Sequence, residues 1–166
     1  MNNRPKIALE LTTLDKIFEI SGWISVFAIW AFAINNYITL PDTIPIHYDG
    51  AGHASGFGGK GHILTLPLIA TALFVVLTIL NKFPQIFNYP VTITPDNAIR
   101  QYTYATRLIR YLKFIIVVIF GLIIFYTSRT VNGQTIGSGV WFLPLILALI
   151  FIPLIYFVLK SYKTVK

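Results

Sequence analysis

Apolar residues are concentrated in four stretches that suit membrane-spanning helices. Residues 20–40, 63–81 and 140–159 contain no Asp, Glu, Lys or Arg, and residues 114–128 extend to a similar length if 108–113 form one end. A helix needs about 20 mostly apolar residues to cross about 30 Å of hydrocarbon. We therefore predict one membrane domain, residues 1–166, with spans over about 20–40, 63–81, 108–128 and 140–159.

The composition supports an all-α integral membrane protein. The mean hydropathy is +0.71 and 11% of the residues are charged, whereas a soluble domain has about 25% charged residues. A soluble helical bundle would need polar helix faces, and these stretches have none. The sequence has no cysteine, which excludes disulfides and thiolate chemistry.

The basic residues predict an orientation. Four spans put both termini on one side, and eleven of the thirteen Lys and Arg residues then lie on that side. The other side keeps only Lys60 and Arg129. The positive-inside rule places the basic side in the cytoplasm. Loops 41–62 and 129–139 are then extracytoplasmic and loop 82–107 is internal, and the net charge of +7 requires no nucleic acid partner.

The N-terminal residues predict a short helix at the membrane interface. Ile7, Leu11, Leu14 and Phe18 recur at helical spacing and form one apolar face. Such a helix lies along the inner interface before the first span. The alternative is a solvated lead-in without regular structure.

A second helix start precedes the third span. Thr94 suits an N-cap and Pro95 suits the first helical position, which predicts one long helix from Pro95 to about Tyr126. Arg100, Arg107 and Arg110 share a face of this helix. That inner basic face would anchor the chain to anionic lipid headgroups or bind an acidic cytoplasmic partner.

Two further signals concern the second outer loop and the last span. Asn132-Gly133 is typical of a tight β-hairpin, so both outer loops are expected to contribute to a small extracytoplasmic cap. Pro153 lies within the fourth span and should bend it, because its ring removes the hydrogen bond to the Leu149 carbonyl.

The first outer loop contains the candidate chemistry. All three histidines of the chain lie between residues 40 and 67. His47, Asp49 and His53 offer metal ligands, but their spacing matches no standard zinc site. The GFGGKG stretch at 56–61 lacks the strand-turn-helix context of a nucleotide fingerprint. No nucleophile is marked, so the favoured interpretation of these residues is structural, with no metal and no cofactor.

This loop also carries a family resemblance. The stretch LPDTIPIHYDGAGHASGFGGK, with the later FNYPVTITPDNAIRQY, resembles the membrane domain at the N-terminus of SdpI-type proteins. Those are bacterial immunity and signalling proteins for a secreted sporulation-delaying toxin, so the resemblance implies a protein of the bacterial plasma membrane. The SdpI-type immunity protein has further spans after this domain. The matching positions are Leu40, Pro41, Ile44, Pro45, His47, Tyr48, Gly50, Gly52, Phe57, Gly58 and Lys60.

Together these features favour a non-enzymatic sensor or immunity-like membrane protein. Its outer loop 40–62 would recognise an extracellular peptide or envelope protein through His47, Tyr48, Asp49, His53, Lys60 and His62. An accessory subunit or small-solute transporter is the alternative, although acidic residues are absent from the predicted spans, which argues against ion-coupled transport. A metal-dependent membrane enzyme is the third possibility.

Overall fold

The computed structural model describes residues 4–135 and 137–163. Within these residues the chain forms four long helices: α1 (Thr13–Thr39), α2 (Thr65–Leu80), α3 (Pro95–Val131) and α4 (Phe142–Lys163). A 3₁₀ turn at Lys60–Leu64 leads directly into α2. With this turn counted as part of the second span, Lys60–Leu80, all four helical segments are long and apolar enough to cross a membrane, which confirms the multi-pass helical prediction.

The predicted interfacial helix at the N-terminus is wrong. Residues 4–12 have no helical structure, and α1 begins only at Thr13. The Asp15 carboxylate accepts hydrogen bonds from the backbone N–H and the hydroxyl of Thr12 at 2.9 and 2.7 Å, and this capping box fixes the start of the helix. Leu14 and Phe18 therefore belong to the first turns of α1 itself.

The segment before α1 is instead held by tertiary contacts. Arg4 donates to the backbone carbonyl of Phe87 at 2.6 Å, and the Tyr102 hydroxyl donates to the carbonyl of Pro5 at 3.1 Å. Burial raises the pKa of Tyr89, whose ring lies under the Arg4 guanidinium. These contacts hold the segment against the α2–α3 connection.

A β-hairpin follows α1, and helical periodicity alone did not predict it. Its strands are β1 (Thr43–Tyr48) and β2 (Ala54–Gly59), which pair antiparallel from Thr43–Gly59 to Tyr48–Ala54. The register shifts on either side of His47, which is typical of a β-bulge. We call this part of the molecule, where α1 and α3 end and α2 and α4 begin, the hairpin end.

The predicted start of α3 is confirmed, whereas the interpretation of Asn132-Gly133 is wrong. The backbone N–H of Thr94 donates to Asn97 at 2.9 Å, as in a capping box. At the other end, Asn132 is the C-cap of α3 and Gly133 has φ +69°. A helix C-terminus and a tight hairpin both favour glycine at positive φ, so the dipeptide alone does not distinguish them.

The helix α3 is central and packs against each of the other three. The buried apolar core includes Val26 and Ala33 of α1, Phe74 of α2, and Val117 and Ile124 of α3. Most large side chains of α4 face outward, as expected for a helix that borders lipid. The bend predicted at Pro153 stays a prediction, although α4 continues through this residue.

The carbonyl that Pro153 leaves without its helical partner has another donor. The Tyr111 hydroxyl of α3 donates to the Leu149 carbonyl at 3.1 Å. Leu149 is four residues before Pro153, so its carbonyl is the acceptor that a proline cannot reach with an N–H. The carbonyl that Pro153 leaves without a donor inside α4 thus forms a polar contact between α3 and α4.

Candidate functional site

The turn of the hairpin is organised by Asp49. One carboxylate oxygen accepts hydrogen bonds from the backbone N–H groups of Ala51 and His53, both at 2.9 Å. The hydrogen bond from the His53 N–H is the main cause that lowers the pKa of the exposed Asp49 carboxyl below its usual range, with a further contribution from Ala51. This is the arrangement by which an aspartate stabilises a tight turn.

The other polar residues of this loop also have local partners. The imidazole of His53 lies 3.6 Å from the second oxygen of Asp49, and Lys60 pairs with Asp42 at 3.1 Å. The Nδ1 atom of His62 lies 2.9 Å from the carbonyl oxygen of Gly59. These contacts fit the structural interpretation.

The structure does not bring the candidate metal ligands together. Within residues 4–135 and 137–163, no group of three His, Asp or Glu side chains is placed to hold a metal ion. His47, Asp49 and His53 therefore form no ligand set. Asp49 is engaged by the turn and pairs with His53, and His47 lines a cavity that Asp49 also borders.

That cavity, of about 510 Å³, lies between the hairpin, α3 and α4. Hairpin residues His47, Tyr48 and Asp49 lie on one side of it. Its remaining walls are mainly apolar or aromatic and come from four parts of the chain: Leu66, Ile123, Tyr126, Phe142, Leu143 and Ile146, with Ser138 and Gly139. We call it the hairpin cavity. An apolar cavity with a few polar groups is typical of a ligand site.

The side chain of Tyr48 links strand β1 to α3. Its hydroxyl donates to the Thr127 hydroxyl at 2.9 Å. Tyr48 also borders a second, smaller cavity of about 180 Å³ that includes His62 in its lining. Four of the sequence-predicted binding residues, His47, Tyr48, Asp49 and His62, thus line cavities under the hairpin, whereas His53 and Lys60 line neither of them.

The loop between α3 and α4 packs directly on the hairpin turn. The backbone of His53 pairs with Gly137, and the N–H of Ser138 donates to the Gly52 carbonyl at 3.0 Å. A Cβ atom on Gly52 would lie 2.6 Å from the backbone nitrogen of Gly139. Glycine is required here because the two backbones approach so closely.

The opposite end of the bundle, which we call the charged end, holds a network of ion pairs. Arg110 of α3 lies between two α1 carboxylates, with Glu19 at 3.1 Å and Asp15 at 3.5 Å. Arg107 also pairs with Asp15, at 3.3 Å. Lys113, with 0% of its side chain exposed, pairs with Glu19 at 2.6 Å. We call these five residues the charge cluster.

Lys113 is the most enclosed member of the charge cluster. It also donates to the Thr78 hydroxyl of α2 at 2.8 Å and lies over the Phe74 ring at 4.4 Å. A single side chain therefore connects α1, α2 and α3. A buried ammonium needs such partners because its transfer from water is costly.

The inner basic face is divided in the structure. Arg107 and Arg110 find their acidic partners within the chain, in α1. Arg100 is exposed, so contact with lipid or an acidic protein stays a prediction for that residue.

Sequence reasoning missed Asp15, Glu19 and Lys113 as site residues. Asp15 and Glu19 are four residues apart and share a helix face, and Arg107, Arg110 and Lys113 are spaced by three. The sequence signal was an acidic face at the start of α1 and a basic face on the first half of α3, both at the same end of the bundle. Only the fold could establish that the two faces meet.

Comparison with known proteins yields two matches. A family model for a domain of unknown function (DUF1648) matches residues 23–71, from α1 through the hairpin to the first turns of α2. An uncharacterised protein of Archaeoglobus fulgidus is 30% identical over 88 residues, 48% of this chain and 48% of that protein. The chain thus covers about half the length of this curated relative. No solved structure matches the chain.

The matched family segment includes the hairpin turn and β1 residues His47 and Tyr48, but it begins after Glu19 and ends before α3, so it contains no residue of the charge cluster. Neither the description of the family nor the name of the archaeal relative states an activity. The chain is therefore similar to this domain of unknown function over α1, the hairpin and the start of α2.

Proposed function

We propose that the chain is a non-enzymatic sensor or immunity-like protein of a bacterial plasma membrane. In this proposal the hairpin end is extracytoplasmic and the hairpin cavity receives an apolar side chain of a secreted peptide or envelope protein. The observation that carries the proposal is the cavity of about 510 Å³ with His47, Tyr48 and Asp49 beside an apolar wall. Apolar cavities with few polar groups hold anchoring side chains of partners.

The distribution of charge supports the orientation. The charged end has the N-terminal side of α1, the first half of α3 and the end of α4, which together contain most basic residues. The hairpin end has Lys60, which is paired with Asp42, and Arg129. Under the positive-inside rule, the hairpin faces outward.

The resemblance to SdpI-type proteins supports the choice of partner. Its motif, from Leu40 to Lys60, spans the hairpin and includes the cavity residues His47 and Tyr48. An amphipathic secreted peptide binds at the membrane surface, where the apolar wall of α4 begins. Binding there needs no catalytic group.

The described core favours a sensor over a transporter. Between the hairpin cavity and the charge cluster, α1, α2 and α3 contribute an apolar cluster that includes Ala33, Ala70 and Phe74, and the polar pair Trp30–Thr71 beside it is closed by its own hydrogen bond at 2.9 Å. A transporter of polar solutes needs polar groups along its path.

The proposal is tested by filling the cavity. Leu143 lines it and is 50% exposed, and Leu147, one turn further along α4, is 45% exposed and does not line it. Bacteria that make the wild-type chain should survive a purified sporulation-delaying peptide toxin. Leu143→Trp should lose this protection, with at least about a tenfold loss of binding, because the indole occupies the space for the anchor.

Leu147→Trp is the matched control and should protect like the wild type at equal membrane abundance. His47→Ala should weaken binding without reducing that abundance. Wild-type cells that remain as sensitive as cells without the chain, or equal loss in both tryptophan variants, would contradict the immunity form of the proposal.

A further inference from the structure

A third cavity, of about 400 Å³, lies at the charged end, far from the hairpin. Apolar residues of the N-terminal segment form one wall: Ile7, Ala8, Leu9 and Leu11. Polar and charged residues of α1, of α2 and the two residues after it, and of α3 form the facing wall: Glu19, Thr78, Asn81, Lys82, Thr106 and Arg110. We call this the inner cavity. One wall suits hydrocarbon and the other suits a polar group.

Asn81 supplies an acceptor that has no donor. Its side chain amide donates to the Thr106 carbonyl at 3.2 Å, and only 8% of the residue is exposed. Its Oδ1 atom is buried and has no hydrogen-bond partner in the described part of the chain. Folded proteins rarely leave a buried carbonyl oxygen unpaired, which points to a ligand that donates a hydrogen bond.

The charges beside the inner cavity do not balance. The charge cluster has three cations, Arg107, Arg110 and Lys113, against the two carboxylates Asp15 and Glu19. Lys82, exposed on the cavity lining, adds a fourth cation. An uncompensated positive charge at a partly buried site favours an anionic ligand.

The depth of the site fits a lipid headgroup. From Lys113 to Val131, the end of α3, the helix rises roughly 27 Å at 1.5 Å per residue, and the hydrocarbon core is about 30 Å thick. The charge cluster therefore lies near the boundary between acyl chains and headgroups. The apolar wall of the inner cavity, formed by the N-terminal segment, would contact the first methylenes of the acyl chains.

From the orphan acceptor, the excess positive charge and this depth, we propose that the inner cavity binds the headgroup of an anionic, hydroxyl-bearing phospholipid such as phosphatidylglycerol. Lys82 and Arg110 contact the phosphate, and a headgroup hydroxyl donates to Asn81 Oδ1. This site is separate from the hairpin cavity, so it does not depend on the proposed recognition function.

The test uses the full chain in nanodiscs of phosphatidylcholine, titrated with dioctanoyl-phosphatidylglycerol and followed by native mass spectrometry. Binding should be at least about tenfold tighter than for dioctanoyl-phosphatidylcholine, the scale of one charge-assisted contact. Lys82→Gln should weaken it by about tenfold and Lys82→Glu by more. Lys82 is exposed, so both variants should fold.

Lys16 gives the matched control because it is an exposed cation at the same end of the bundle that does not line the inner cavity. Lys16→Gln and Lys16→Glu should bind phosphatidylglycerol like the wild type. Phosphatidylmethanol, which keeps the single negative charge but lacks the headgroup hydroxyls, should bind more weakly because Asn81 Oδ1 then stays unpaired.

Four results would each overturn the proposal or one of its contacts. Equal binding of phosphatidylcholine and phosphatidylglycerol would remove the anion preference. Equal losses in the Lys16 and Lys82 variants would reduce it to general surface attraction. Glycerol phosphate that binds as tightly as the lipid would identify a soluble phosphoryl ligand instead. Phosphatidylmethanol that matches phosphatidylglycerol would exclude the role of Asn81.

Discussion

The Asp49 carboxylate accepts hydrogen bonds from the backbone N–H groups of Ala51 and His53, two amides in a turn that also uses positive φ at Gly52. A short acceptor two residues before a turn amide is what makes aspartate and asparagine frequent at such positions. The residue type that suggested a metal ligand therefore serves the backbone of the hairpin.

Two substitutions of Asp49 distinguish the role of its acceptor oxygen from the role of its negative charge. Asp49→Ala should accelerate hydrogen exchange of the Ala51 and His53 amides, because both lose their acceptor. Asp49→Asn keeps an acceptor oxygen and should leave exchange close to the wild type. Unchanged protection in Asp49→Ala would mean that strand pairing alone holds the turn.

Because the pKa of Asp49 is lowered in the folded chain, the stability of the turn should depend on pH. The folded pKa of Asp49 lies below the ordinary value of 3.8, so its contribution to stability is present above pH 3.8 and is lost as the pH falls through the lower folded pKa. Ala51 and His53 protection should decline in that acidic range. The Asp49→Asn variant has no carboxyl there and should lack this step.

At the scale of elements, α4 is joined to α3 by a polar contact that depends on a proline. The Leu149 carbonyl receives its hydrogen bond from Tyr111 because Pro153 has no N–H to give. Tyr111→Phe should lower the free energy of unfolding by about 1–3 kcal/mol, the cost of leaving a partly buried acceptor without its donor. Thermal unfolding in detergent measures it.

A double-mutant cycle isolates this dependence. In Pro153→Ala the new N–H can reach Leu149 along the helix, so adding Tyr111→Phe should cost less than it does beside proline. Tyr162, exposed on α4, provides a control, and Tyr162→Phe should be neutral in both backgrounds. Equal costs of Tyr111→Phe with and without Pro153 would show that the hydroxyl acts elsewhere.

The charge cluster gives a second prediction for the packing of α1 against α3. Glu19→Leu leaves the buried Lys113 ammonium without its carboxylate, and breaking such a pair costs about 3–5 kcal/mol. Adding Lys113→Met removes the stranded charge and should recover most of that loss. Chemical or thermal unfolding of the purified variants provides the measurement.

Arg107 supplies the comparison, since its side chain is 37% exposed. Arg107→Gln should cost below about 1 kcal/mol, as for partly solvated pairs. If Lys113→Met deepens the defect of Glu19→Leu instead of relieving it, Lys113 contributes mainly through Thr78 and Phe74.

For the whole molecule, local sequence signals predicted the helices but not how the helices meet. Charge-free length placed the four spans, and Thr94-Pro95 placed the start of α3. The N-terminal apolar spacing failed because tertiary contacts of Arg4 and Pro5 hold that segment without a helix. The charge cluster pairs residues more than 90 positions apart, and composition does not encode such proximity.

The proposed orientation of the molecule follows from its unequal charge and can be measured directly. The chain has no cysteine, so single cysteines report accessibility without background. Gly61 is exposed at the hairpin end and has open space for a side chain, and Lys16 is exposed at the charged end. Gly61→Cys should react with a membrane-impermeant maleimide in intact cells, whereas Lys16→Cys should react only after permeabilisation. The reverse pattern would place the eleven-cation side outside the cell, against the positive-inside rule, and would remove the hairpin cavity from contact with any secreted partner.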